Sequence, residues 1–159
     1  VALEATMALG LALERIPGIN LAISRFPIDG INGGLQYDDD VQPMIRHGDR
    51  IVNNLDRFNI GTMGGTPMAN SMWYSYGQLI QQKSPRKILF IISDGQPNNR
   101  VSVVEAYQWA QSVGVETVGL GINTDAMKSL FTISDQINNI NELETALFSM
   151  TRNLLTLAA

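Results

Sequence analysis

The sequence holds no cysteine and a single histidine among its 159 residues. Without thiols there is no disulfide framework, no thiolate metal site and no cysteine nucleophile. The same absence is compatible with a reducing cytoplasm, which is the expected compartment. His47 has no serine–histidine arrangement around it and reads as a surface-loop residue. Basic charge is also scarce. Eleven Lys and Arg face fifteen Asp and Glu, the net charge is −4 and the pI is near 4.8. Nucleic-acid partners therefore have no electrostatic support. The largest basic cluster is only Lys83, Arg86 and Lys87. Long apolar runs are missing too, since Ala8 to Leu13 is broken by Gly10 and Ile88 to Ile92 is short. Neither approaches the roughly 20 residues of a spanning helix, so no membrane segment is expected. The opening residues carry no basic leader, and no secretory signal is expected.

What remains is an ordinary globular composition, 45% hydrophobic and 16% charged. The length suits one domain, residues 1–159, with a proper core. No internal repeat, linker or low-complexity tract interrupts it.

Val1 to Ile16 predicts a helix that is apolar almost all round, the mark of an element covered on most sides. Pro17-Gly18 ends it. Ile19 to Phe26 alternates as a strand does. The polar stretch Pro27 to Asp40 predicts a loop, and Val41 to Arg46 a short strand confined to an edge by Pro43. Asp49 to Phe58 predicts a short helix. After the glycine loop Gly61 to Gly65, Thr66-Pro67 reads as a helix start, with threonine as N-cap and the helix running to about Gln82. Lys87 to Ile92 and Val115 to Ile122 read as strands buried on both faces, with a helix over Val101 to Val113 between them. A weak helix over Asp125 to Ile133 and a short strand over Ile137 to Ile140 follow. Asn141 and Glu144 offer a capping box for the last helix, which runs to about Leu157. Alternating helices and apolar strands predict an α/β fold: a Rossmann-like doubly wound, mostly parallel sheet with helices on both faces.

Ligands of such sheets bind beyond the carboxyl ends of the strands. Two features fall there: Asp94 in Ser-Asp-Gly-Gln-Pro after the strongest strand, and Thr66 at the end of Gly-Thr-Met-Gly-Gly-Thr-Pro. A carboxylate and a hydroxyl at one rim suit a hard divalent ion such as Mg²⁺ or Mn²⁺, which takes oxygen ligands and keeps several waters. Gly64, Gly65 and Gly95 would let the supporting loops approach closely. The plainer reading is that Asp-Gly is a turn and Thr-Pro a helix start. Other candidates are weaker. Asp38 to Asp40 lacks the spaced ligands of an EF-hand and reads as a solvated acidic turn. The glycine loop has no Gly-Lys-Ser/Thr, so it is not a P-loop. Trp73 and Trp109 lie on helices and read as packing residues.

Taken together, Gly-Gly-Thr-Pro-Met and Phe-Ile-Ile-Ser-Asp-Gly-Gln-Pro resemble the von Willebrand factor A fold and its metal-ion-dependent adhesion site. Leu11 to Gly18, Val41 to Arg50, Gly64 to Leu79, Val115 to Asn123 and Ile140 to Met150 most resemble the bacterial cobaltochelatase CobT-type branch. The family's site joins Asp-x-Ser-x-Ser after a first central strand, a threonine of a second loop and an aspartate after a later strand. Thr66 matches the second part and Asp94 the third. The first strand and Asp-x-Ser-x-Ser have no counterpart here, and the expectation is that they belong upstream of residue 1.

The resemblance implies a non-catalytic, metal-dependent binding and assembly module. An open coordination position would take an Asp or Glu of a partner, and the cobaltochelatase-like setting implies an ATPase subunit of the AAA+ class. Two alternatives stand beside it: a Mg²⁺-dependent hydrolase or transferase using Asp94 on the same rim, and a structural domain whose metal site has degenerated.

Overall fold

A computed structural model describes residues 1–27, 41–59 and 65–157. The predicted Pro27–Asp40 loop from residue 28 onward, with its Asp38–Asp40 turn, lies outside the described residues, as do Gly61 to Gly64. Helix α1 (Ala2–Glu14) leads to strand β1 (Ile23–Arg25), which pairs antiparallel with β2 (Gln42–Ile45). Helix α2 (Met68–Ile80), β3 (Lys87–Ser93), α3 (Arg100–Ser112), β4 (Val115–Ile122), β5 (Ile133–Ile137) and α4 (Leu143–Leu157) follow. Strands β3, β4 and β5 form a parallel sheet in that order, with Lys87 opposite Val115 and Val118 opposite Ile133. Among the described residues no strand joins this sheet to β1–β2. The expected α/β architecture is therefore present, with helices on both faces of the parallel sheet.

Each face has its own core. On one, Met68, Met72 and Tyr76 of α2 and Val103, Ala106 and Ala110 of α3 pack together with Ile91 and Val115 of the sheet. On the other, Val118, Leu120 and Ile122 meet Ala5 of α1 and Leu143, Ala146 and Met150 of α4. Burying each of the larger side chains contributes roughly 1.5–3 kcal/mol. Leu3, Met7 and Leu11 of α1 also lie against a third cluster formed by Ile23, Met44, Ile45, Ile51 and Phe58. One helix thus spans both sheets.

Several expectations shift. Helix α1 buries only Ala5 and Gly10 fully, so its apolar surface is half-covered rather than enclosed. Strand β1 keeps three residues of the alternating Ile19–Phe26 run. Asp49–Phe58 forms two 3₁₀ turns, Ile51–Asn53 and Leu55–Phe58, instead of one helix. The weak helix shrinks to a 3₁₀ turn over Ala126–Ser129, and the last strand lies at Ile133–Ile137 because its register is set by β4. The cap before α4 uses the overlapping Asn139-x-x-Glu142. Asn139 accepts from Asn141 N–H at 3.0 Å, and Glu142 accepts from Asn138 N–H at 2.9 Å. Among the described residues no helix is long and apolar enough to cross a membrane.

Candidate metal centre

At the carboxyl end of β3 the chain turns through Ser93, Asp94 and Gly95. Ser93 is buried, and its hydroxyl accepts the Gly95 N–H at 3.2 Å, which closes the turn and leaves Asp94 exposed at the rim. Across from it, Gly65 takes a left-handed φ of 92°, a conformation that glycine adopts without strain. Thr66 follows directly.

Thr66 is not the helix cap that its sequence suggests. Pro67 occupies the N-cap position of α2 and no side chain caps the helix. The Thr66 side chain turns instead toward β3. A Cβ placed on Gly95 would stand 2.5 Å from Thr66 Oγ1, so only a residue without a side chain admits the hydroxyl here. This contact brings the hydroxyl against the residue next to Asp94. The predicted Thr66, Asp94, Gly65 and Gly95 therefore meet at one rim, while Gly64 lies outside the described residues.

The loops are tied by a residue that the sequence did not single out. Thr66 N–H donates to Asn98 Oδ1 at 2.9 Å, and Asn98 N–H donates to the Thr66 carbonyl at 3.0 Å. The next residue, Asn99, caps α3 by accepting from Ser102 N–H at 3.1 Å. Further along the rim, Gln96 Nε2 donates to Thr124 Oγ1 at 3.4 Å. The Asn99-x-x-Ser102 cap is readable from the sequence, but nothing local marks Asn98 as a partner of Thr66.

A carboxylate and a hydroxyl are hard oxygen donors, and by chemistry they fit a hard divalent cation. Among the described residues no group of three or more histidine and acidic side chains could hold a metal. Thr66 and Asp94 supply one hydroxyl and one carboxylate, and the remaining positions would fall to water or to other oxygens. His47, Trp73 and Trp109 have their contacts elsewhere. His47 Nδ1 sits 3.2 Å from the Asn20 carbonyl. Trp73 and Trp109 pack with Tyr76 between α2 and α3 in edge-on and tilted contacts, the two indoles 5.1 Å apart between centroids, although Trp73 stays 43% exposed.

A sequence model of the von Willebrand factor type A domain matches residues 31–153. No curated protein matches the chain. Among solved structures it is similar to proximal thread matrix protein 1 of the mussel byssus, with a TM-score of 0.72 at 14% identity over 94% of this chain and 40% of that one. It is also similar to the SpRpn10 VWA domain, with a TM-score of 0.66 at 8% identity over 91% of this chain and 81% of that one. A third is the manganese-loaded TRAP protein of Plasmodium vivax, with a TM-score of 0.65 at 14% identity over 94% and 63%. A second structure of the mussel protein has zinc in its MIDAS motif. The chain spans less than half the length of the mussel protein. At these identities the likeness is one of fold.

Proposed function

The chain belongs to the von Willebrand factor type A family, and on that premise we propose that it is a non-catalytic binding and assembly module whose rim uses a divalent cation. The observation that carries this reading is the packing of Thr66 Oγ1 on Gly95, beside the exposed Asp94. Two oxygens from separate loops are thereby held at the carboxyl end of a parallel sheet, where such folds bind ligands. Structures of similar fold in the mussel and Plasmodium proteins hold zinc and manganese, which supports a divalent cation here, with Mg²⁺ or Mn²⁺ preferred for all-oxygen donors.

Thr66 and Asp94 would hold the cation, and a partner's Asp or Glu would complete its shell. The Asp-x-Ser-x-Ser element of the family resemblance does not occur among these residues, so the remaining positions fall to water or to another segment. Beside them, Gln96 bonds to Thr124 and Asn98 bonds to Thr66, so these side chains are engaged in holding the loops together. Within this reading we assign the chain to the cobaltochelatase-like branch, with an AAA+ ATPase subunit as partner and a cytoplasmic setting.

Calorimetric titration with Mg²⁺ and Mn²⁺ tests the cation. Asp94→Ala should abolish binding, and Gly95→Ala should weaken it by displacing the Thr66 hydroxyl. Binding of an acidic peptide tests the bridge and should disappear with chelator. Peptide binding that survives chelation would leave the fold standing and remove the metal bridge. Mn²⁺ binding unchanged in Asp94→Ala would remove the site itself. One observation favours a second reading, a structural domain with a degenerate site: among the described residues no three acidic or histidine side chains gather as a metal would need. Stability indifferent to Mg²⁺ would support it.

A further inference from the structure

We propose that Asn98 is the positioning residue of this rim and acts on cation binding through Thr66; the proposal rests on the reading that Thr66 and Asp94 hold a divalent cation. Asn98 and Thr66 are 32 residues apart and belong to different loops, yet they exchange two hydrogen bonds. The Asn98 side chain accepts from Thr66 N–H at 2.9 Å while the Asn98 N–H donates to the Thr66 carbonyl at 3.0 Å. That same carbonyl accepts from Met68 N–H at 2.8 Å, at the start of α2. Both backbone polar groups of Thr66 are therefore committed. Its hydroxyl is not: among the described residues neither Thr66 Oγ1 nor the Asp94 carboxylate makes a hydrogen bond.

This division of labour is what a cation site needs. A ligand held by its backbone keeps its oxygen available, whereas a threonine acting as a helix cap would spend the hydroxyl on an N–H. The clamp also spans the conformationally free point of the loop. A Cβ on Gly65, whose φ is 92°, would lie 3.9 Å from Asn98 Nδ2, so the amide stretches along the Gly65–Thr66 backbone. Asn98 sits four residues beyond Asp94 on the β3–α3 connection. Through it the loop bearing the hydroxyl is fastened to the loop bearing the carboxylate, and the two oxygens keep one spacing without the cation.

The test is Mn²⁺ titration of the chain, read by electron paramagnetic resonance, together with amide exchange at Thr66. Asn98→Ala removes the side-chain bond and should weaken Mn²⁺ binding roughly three- to tenfold, the scale of one neutral hydrogen bond. In a Thr66→Ala background the same change should have no further effect, because the group it positions is gone. Thr66 amide exchange should accelerate in Asn98→Ala and stay slow in Asn98→Asp, which keeps the acceptor. Equal losses of affinity in both backgrounds, or Thr66 exchange unchanged in Asn98→Ala, would overturn the clamp. A wild-type chain that binds no Mn²⁺ would instead overturn the metal reading, and the exchange measurement would then decide the clamp alone.

Discussion

Strands β3 and β4 are the two most apolar segments of the sheet, and the fold treats them differently. In β4 every residue but Glu116 is buried. In β3 only Ile91 and Ser93 are, and Ile88, Leu89, Phe90 and Ile92 stay half-buried. The cause lies in their neighbours. Strand β4 is paired on both sides, while β3 has β4 alone as a described partner. An apolar run shows that a strand has two faces to cover, but not what covers them. The strand paired on both sides holds the fold together, and β3, with one described neighbour, carries Asp94 out to the rim.

Core truncations are the strongest way to break this contrast. Leu120→Ala in β4 should cost about 2–5 kcal/mol in urea unfolding, as a large-to-small change at a fully buried site does. Phe90→Ala in β3 should cost less despite the larger side chain, because part of that ring is already in water. Equal losses would mean that β3 is as enclosed as β4.

The next effect concerns the bond that ties α2 to β4. The Tyr76 hydroxyl lies 2.7 Å from Thr117 Oγ1 in the buried core. Tyr76→Phe leaves the Thr117 hydroxyl without its partner and should cost about 1–3 kcal/mol. Burial above all, with the bond to Thr117 partly opposing it, pushes the Tyr76 pKa up to about 12 from 10.0. Since the folded value is the higher one, the unfolded chain loses its phenol proton first. Stability should therefore be intact below pH 10 and fall as pH rises from 10 toward about 12. Denaturation midpoints across that range should lose this component of the slope in Tyr76→Phe.

The smallest effect falls on Glu116, the one residue of β4 that is not fully buried. Glu116 takes two hydrogen bonds from Arg86, at 2.6 and 2.9 Å, and these hold the guanidinium above its ordinary pKa. Both side chains remain about a third exposed, so Glu116→Gln should cost no more than about 1 kcal/mol and less at high salt. A loss comparable to Leu120→Ala would show that this pair, and not the core, anchors the strand.

Much of the architecture is legible in local pattern. The limits of β4 match the apolar run Val115 to Ile122 residue for residue, since continuous burial leaves a continuous signal. Helix α3 begins one residue before its expected start, because Asn99 supplies the cap. Where two solutions are equally good locally, pattern reading fails. Asn139-x-x-Glu142 and Asn141-x-x-Glu144 are both capping sequences, and the sheet register at Ile137 selects the first. Likewise Ile133 to Ile137 carries too few apolar residues to announce a strand, and β4 recruits it through its free edge.

The sequence by itself determined the fold class and the positions of α2, β3, α3, β4 and α4, because burial and turn chemistry act over a few neighbouring positions. Only the tertiary structure decided that Thr66 leaves the helix cap for Gly95, that Asn98 holds it there, and that β3 stays half-covered. Each of those outcomes depends on which backbone group or apolar face is met across the fold, 32 residues away in the case of Asn98 and Thr66, and no local pattern encodes that meeting.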